Sequence, residues 1–502
     1  MATESPETAP TPYAEFLDHV KQLTYLNDAG GVLGWDQQVT MPEGGTPARS
    51  KQSSALSSVT HDLLTDDRVG EWLSELDGQD LDGGQQAVVR EVRREYERAV
   101  NVPEGLVAEI SETASNALPV WEEAKTEDDF DAFAPTLEKM IDLKREYAEA
   151  IDPDRDPYAV LFEDYEPYLG LETAERVLEQ LRDELVPLID EVEASDVDLA
   201  DPFADGEYDP GIQEETVRAA LDTLGYDWDR GRLDTAAHPF SSGTQFDARV
   251  TTRFDPEDPI GAIGSTVHEF GHATYTLGLP DDHYGTPLGQ SRDLTVHESQ
   301  SRLWENHVGR SAAFWDHFAD TANDHLGVDA SPGEYYEAAN QIYPNNRIRV
   351  EADELTYHMH IILRFEIERD LISGDLDVEE VPRVWNDKME EYLGVRPETD
   401  SEGCLQDIHW THGSLGYFPT YSLGSVLAAQ LFASAEADIP DLDDDVRAGE
   451  FDSLHDWLTE NVHQHGCRYR TDDLVREATG EGFTADHFVD YAKSKFGDLY
   501  DL

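Results

Sequence analysis

Cysteine is almost missing from this chain: Cys404 and Cys467 are the only two in 502 residues. One bridge between them is conceivable, but two cysteines do not make the stapled framework of a small secreted domain. Positive charge is scarce as well. Lys and Arg number 36 against 108 Asp and Glu, a formal net charge of −72. That imbalance excludes nucleic acid and anionic membrane faces as partners, since both require a positive surface. No apolar run of about eighteen residues occurs, which argues against a membrane-spanning helix. The opening residues, Met1-Ala-Thr-Glu-Ser-Pro6, have neither the basic nor the apolar region of a signal peptide, so the expected compartment is the cytoplasm.

What is present points to a folded protein. Hydrophobic residues make up 39% of the chain, aromatics 10%, and there are nine tryptophans, which is too much apolar surface for a disordered acidic chain. The acid runs along the whole length rather than sitting in one tail. Such a surface suits a salt-rich cytoplasm, where screening removes self-repulsion and solubility must still be kept. The expected source is an extreme halophile.

Helical periodicity dominates. Residues 85–100 and 130–150 read as helices, and Leu178, Leu181, Leu185, Leu188 and Val192 recur at three and four residues, with Pro187 as a potential kink. Loop-forming clusters fall at 42–47, 152–157, 201–209 and 438–445. The first ten or so residues are polar and expected to fray. No fixed repeat or flexible linker divides the chain. The fold class expected is mainly α: a large helical, two-lobed protein around a deep groove, with a small β-hairpin or sheet. It would be one catalytic unit over 1–502, with a helical region at about 10–235 and the motif-bearing region at about 236–502. The strand signal is Thr244–Phe254, which alternates and is rich in Thr, Val and Phe. Beside a cleft, such a strand can pair with an extended peptide backbone.

Immediately after it comes His268-Glu-Phe-Gly-His272. Two histidines four residues apart on a helix lie on one face, one turn apart, and can share a metal ion. Glu269 points about 100° away, free to face a water molecule. Gly271 weakens the helix relative to Ala, so its presence implies the close approach of another backbone or of a ligand. Ile260, Ile263, Val267, Phe270 and Tyr275 can bury the opposite side. A third ligand is needed. His297 and Glu298 both lie in a second helical segment, Asp293–Glu305, but face different ways. Glu298 is the preferred ligand, and a plain surface carboxylate is the alternative.

The chain resembles the carboxypeptidase Taq family, thermostable metallocarboxypeptidases of the gluzincin group. The matching segments occur in the family's order: His238-Pro-Phe240, Asp247-Ala-Arg-Val-Thr251, His268–His272, His297-Glu-Ser-Gln300, Ile348–Asp353 and Gly403–Trp410, with Trp35-Asp36, Met41-Pro42 and Thr479-Gly480 similar as well. The resemblance implies an all-helical fold with a deep groove, one catalytic divalent metal ion per chain, release of C-terminal amino acids from peptides, and a homodimer. It implies His268, His272 and Glu298 as metal ligands and Glu269 as general base. The metal would be zinc, with cobalt the alternative. Related peptidases place a histidine and tyrosines at the tetrahedral intermediate, and here His409, Tyr417 and Tyr421 have similar glycine-rich spacing. A carboxypeptidase must also read a free carboxylate, which arginine does best. Arg349 is the first candidate and Arg249 the weaker; an ion pair with a nearby acid is the structural alternative for Arg349, and holding the strand is that for Arg249. His238 would contact the substrate backbone or cap the turn before Pro239. Four residues after Glu298, where many gluzincins carry an acid, stands Arg302. The residue orienting a metal-binding histidine must then lie elsewhere, with Asp353 and Asp407 as candidates. An oligopeptidase on the same scaffold and a non-catalytic peptide- or metal-binding protein are the competing readings.

Overall fold

The computed structural model describes residues 11–204, 206–343 and 346–502. The N-terminal stretch expected to fray lies outside them. Nine helices precede the only strands among the described residues. They are α1 (Pro12–Val39), α2 (Thr46–Leu64), α3 (Asp67–Leu76), α4 (Gly83–Asn101), α5 (Glu104–Glu127), α6 (Phe130–Ile151), α7 (Pro157–Phe162), α8 (Leu171–Ala194) and α9 (Pro210–Leu224). Local chemistry sets their starts. Thr11 caps α1 ahead of Pro12, and Asp82 with Gln85 forms a capping box on α4. In α8 the predicted leucine stripe is buried throughout, and Pro187 sits inside a helix that continues to Ala194. Each leucine of that stripe contributes about 1.5–3 kcal/mol on burial.

Three strands follow: β1 (Gly231–Thr235), β2 (Ser241–Thr244) and β3 (Asp247–Thr252), in the order β1-β3-β2. The expected strand segment, Thr244–Phe254, contains all of β3 but only the last residue of β2; the two strands pair antiparallel, with Thr244 opposite Asp247. The parallel partner β1 was not foreseen, because its sequence, Gly-Arg-Leu-Asp-Thr, carries no clear alternation. Ala248 and Val250 of β3 are fully buried. The next helix, α10 (Pro259–Gly278), hooks onto β3 where the Thr266 hydroxyl donates to Thr252 Oγ1 at 2.9 Å.

Beyond α10 the chain is helical again. The elements are α11 (Leu294–Arg302), a π-helical segment Leu303–Gly309, α12 (Ala312–Leu326), α13 (Pro332–Ala339), α14 (Thr356–Ser373), α15 (Val381–Leu393), α16 (Pro419–Asp438), α17 (Leu442–Ala448), α18 (Asp452–Asn461), α19 (Thr471–Thr479) and α20 (Asp486–Tyr500). The loop expected over 438–445 is shorter than the aspartates suggest, since α17 begins at Leu442. A small core gathers Phe16, Val20, Trp72, Leu73 and Val88 from α1, α3 and α4; the large core runs from Ala117 to Tyr500. Cys404 and Cys467 are buried and unpaired. No described helix is long and apolar enough to cross a membrane.

Candidate active site

The α10 helix starts at Asp258, whose side chain accepts the Gly261 N–H, and Pro259 follows in the first turn. Its apolar side, Ile263, Val267, Phe270 and Tyr275, is buried. That leaves His268 and His272 on the opposite side, one turn apart. Gly271 has the purpose its helix cost implied. A Cβ there would lie 2.5 Å from Gln300 O and 2.6 Å from Ser301 Cα, so α11 packs directly on α10's backbone. The contact brings Glu298 beneath the histidines. Its Oε2 lies 3.8 Å from His268 Nε2 and 3.4 Å from His272 Nε2. One ligand atom from each of these three residues falls within 4.8 Å of the others. A glycine the sequence reading passed over closes the arrangement from behind: a Cβ at Gly424 of α16 would stand 2.4 Å from Glu298 Cγ. Two imidazoles and a carboxylate are the donor set of a catalytic divalent-metal site, and the residues fit such an ion.

The imidazoles are held by their other nitrogens. His268 Nδ1 meets Glu305 Oε2 at 2.8 Å, and His272 Nδ1 meets His297 Nδ1 at 2.6 Å. These two, rather than Asp353 or Asp407, orient the ligand pair, which corrects the sequence expectation. Asp353 instead caps α14 by accepting the Leu355 and Thr356 N–H groups. Glu305 sits in the π-helical segment, where the Arg310 N–H reaches back five residues to Glu305 O. Such wide turns recur at functional sites. The signal was present in outline, a second Glu seven residues after Glu298 and thus near the same helix face. Arg302, the departure noted above, spans both acids, donating to Glu298 Oε1 at 2.8 Å and to Glu305 Oε2 at 3.1 Å. Burial is the largest influence and would raise the Glu298 and Glu305 carboxyls; Arg302 and His268, together with His272 at Glu298 and with Arg310 at Glu305, outweigh it and hold both below the usual range. Burial, followed by the neighbouring His272, pushes His297 down to about 3, so it is neutral. Burial also pushes the Glu269 carboxyl up, and its Oε2 has no hydrogen-bond partner.

His268, Glu269 and Arg349 line one cavity of about 400 Å³, together with Pro239, Arg310 and Tyr357. Arg349 is buried. It donates from Nε and Nη2 to Asp407 at 3.1 and 2.8 Å, and Arg364 Nη2 lies 2.5 Å from the other oxygen of that carboxylate. Burial would raise the Asp407 carboxyl, but Arg364, His409 and Arg349 drive it well below the usual range. His409 Nδ1 stands 3.6 Å from Asp407 Oδ1, and its ring stacks on Tyr417 with centroids 5.6 Å apart. The Tyr417 and Tyr421 hydroxyls are 3.4 Å apart. His238 is exposed next to Pro239. Arg249 is elsewhere: it pairs with Asp247 and stacks over Trp35, lining a separate cavity with Tyr25 and Tyr284.

A helical scaffold presenting a His-Glu-x-x-His helix and a buried third carboxylate defines a metallopeptidase. Comparison with known proteins takes this further. The family described as Carboxypeptidase Taq (M32) metallopeptidase matches residues 15–496, and the chain belongs to that family. It is 38% identical to Thermostable carboxypeptidase 1 of Thermus thermophilus over 99% of this chain and all of that protein. It is 36% identical to Carboxypeptidase 1 of Bacillus subtilis over 97% of this chain and 98% of that one. The crystal structure of the M32 carboxypeptidase from Deinococcus radiodurans superimposes with a TM-score of 0.94 at 36% identity, covering 98% of this chain and 100% of the other. The protein is a metallocarboxypeptidase, a hydrolase that releases C-terminal amino acids.

Proposed function

We propose that the metal is zinc, that Glu269 is the general base, and that Arg349 reads the substrate's C-terminal carboxylate. The observation that carries this reading is a single cavity holding Glu269, with one oxygen free of hydrogen bonds, and Arg349. When bound by His268, His272 and Glu298, the cation polarises the scissile carbonyl and acidifies water. Glu269 takes a proton from the attacking water and returns it to the leaving amine. Its burial keeps the carboxyl basic enough for both transfers. His409, Tyr417 and Tyr421 donate toward the developing oxyanion. The Asp407 carboxylate stands 3.6 Å from His409 Nδ1 and favours the ring with Nε2 turned to the substrate.

Charge supports the role of Arg349. Two buried guanidiniums, Arg349 and Arg364, share the one Asp407 carboxylate. An incoming carboxylate supplies the anion this group lacks, through charge-assisted hydrogen bonds. His238, exposed beside the cavity-lining Pro239, would contact the peptide upstream of the cut. Arg249, tied to Asp247 against Trp35, is placed to hold β3. The test compares peptides with free and amidated C-termini. Arg349→Ala should lower kcat/KM about 10–100-fold on the free peptide and little on the amidated one. Glu269→Gln should keep the metal and lose about 10²–10⁴-fold in turnover. Equal losses on both peptides would make Arg349 structural and favour an oligopeptidase.

The same reading places one catalytic unit, over 1–502, in a salt-rich cytoplasm as a homodimer acting on peptides. A net charge of −72 requires strong screening before two copies can meet. One surface is suited to such a meeting. Residues 44–61 contain no Asp or Glu, and α2, which covers most of them, buries only Arg49. Sedimentation in molar salt should give a dimer; a monomer there refutes this part.

A further inference from the structure

Glu368 has no place in the chemistry above, yet it is fully buried in the middle of α14. Its partners are all neutral. Oε1 accepts the Trp410 Nε1–H at 2.9 Å. Oε2 accepts the Gly416 N–H at 3.0 Å and the Tyr158 hydroxyl at 3.2 Å. Among the described residues no cation forms an ion pair with it. A buried carboxylate without a counter-ion is costly, and an apolar side chain would generally serve stability better.

The indole of Trp410 and the backbone N–H of Gly416, both held by this carboxylate, bracket one loop. Trp410 follows His409, and Gly416 precedes Tyr417. Between them the chain makes a short 3₁₀ turn at His409–His412, then passes through Gly413 and Gly416, both in the left-handed region with φ of 68° and 89°. Local bonds hold its first turn, with the Ser414 N–H donating to His409 O at 3.1 Å and the Gly413 N–H to Trp410 O at 3.2 Å. Gly416 also presses on α7: a Cβ there would lie 2.8 Å from Phe162 N. Beyond those local bonds, the loop is held by packing from outside and by one carboxylate that spans its two ends.

We propose that Glu368 is a positioning residue: through Trp410 and Gly416 it sets where His409 and Tyr417 stand against the scissile carbonyl. This rests on the reading of His409 and Tyr417 given above. A displacement of about 1 Å at such donors costs on the order of 100-fold in rate, so the clamp acts on kcat rather than on substrate affinity. Tyr158 binds the same carboxylate from α7 rather than from the loop, and serves as the internal control.

The experiment measures kcat, KM and metal content for Glu368→Gln, Trp410→Phe, their double variant, Tyr158→Phe and His409→Ala in the full chain. Glutamine presents an N–H toward one of the two anchoring donors, and phenylalanine removes the indole N–H together with the fused ring that carries it. Each should lower kcat about 10–100-fold, leave KM within about twofold, and retain full metal. The double variant should be little worse than the more damaging single one, because both cut the same connection. Tyr158→Phe should lower the melting temperature with kcat unchanged. If His409→Ala loses kcat while Glu368→Gln and Trp410→Phe keep it, the clamp is structural and the proposal fails alone. If His409→Ala keeps kcat, the reading of His409 fails and the proposal falls with it. Should Glu368→Gln not fold, Trp410→Phe decides.

Discussion

The metal ligands and the proposed oxyanion donors are built differently. His268, His272 and Glu298 stand on regular helix, two on α10 and one on α11, where a glycine lets the two backbones touch. Each histidine needs only one partner behind it, Glu305 or His297, because the helix has already fixed its Cα. His409 and Tyr417 stand on irregular backbone. There the position of the side chain, and not only its rotation, depends on contacts with α7 and α14. Asp407 is held by two arginines, and the loop's ends by Glu368. A site thus divides into a part that local geometry pre-sets and a part that packing must hold. Damage should express itself differently in the two.

The strongest test of that division sets Glu305→Gln against His409→Ala. Loss of the Glu305 carboxylate should weaken metal affinity about 10–100-fold, with activity largely recovered by excess metal. His409→Ala should keep the metal and lower kcat about 10²–10³-fold, with no recovery. Metal titration followed by single-turnover kinetics checks both. A His409→Ala protein that loses its metal would break the comparison.

A smaller effect sharpens it from the side of stability. Burial raises the Glu368 carboxyl to about 7, against 4.5 for an exposed one. The folded state therefore binds the proton more tightly than the unfolded chain. The resulting stabilisation is complete below about pH 4.5 and is lost as pH rises through 7. The difference is on the order of 3 kcal/mol. Glu368→Gln, which cannot ionise, should flatten the slope of stability between pH 5 and 8 relative to the parent, measured by denaturant unfolding at constant salt. An unchanged slope would mean that Glu368 does not titrate there.

Much of the metal centre was legible because helix periodicity acts over a few residues. The spacing of His268 and His272, the aim of Glu269 and the purpose of Gly271 all follow from 3.6 residues per turn. Glu298 needed more, namely that a second helix folds back against the first. Its neighbour His297 was weighed only as a rival ligand, whereas it bonds to His272 from behind. Glu305 escaped because the helix widens into a π-turn after Arg302, and no residue in Leu303–Gly309 announces that change. Of the strands, β3 was visible as alternation. β1 was not, because a parallel neighbour is set by tertiary docking rather than by its own pattern.

By itself the sequence determined a helical metallopeptidase with its metal-binding pair, since short-range backbone geometry leaves those side chains few places to go. Tertiary structure decided the pairings: Arg349 with Asp407, 58 residues apart, His268 with Glu305, and Glu368 with both ends of the His409 loop. The physical reason is the abundance of acid. With 108 carboxylates in the chain, almost any arginine or histidine has many eligible partners, and only the packing of helices distant in sequence selects one.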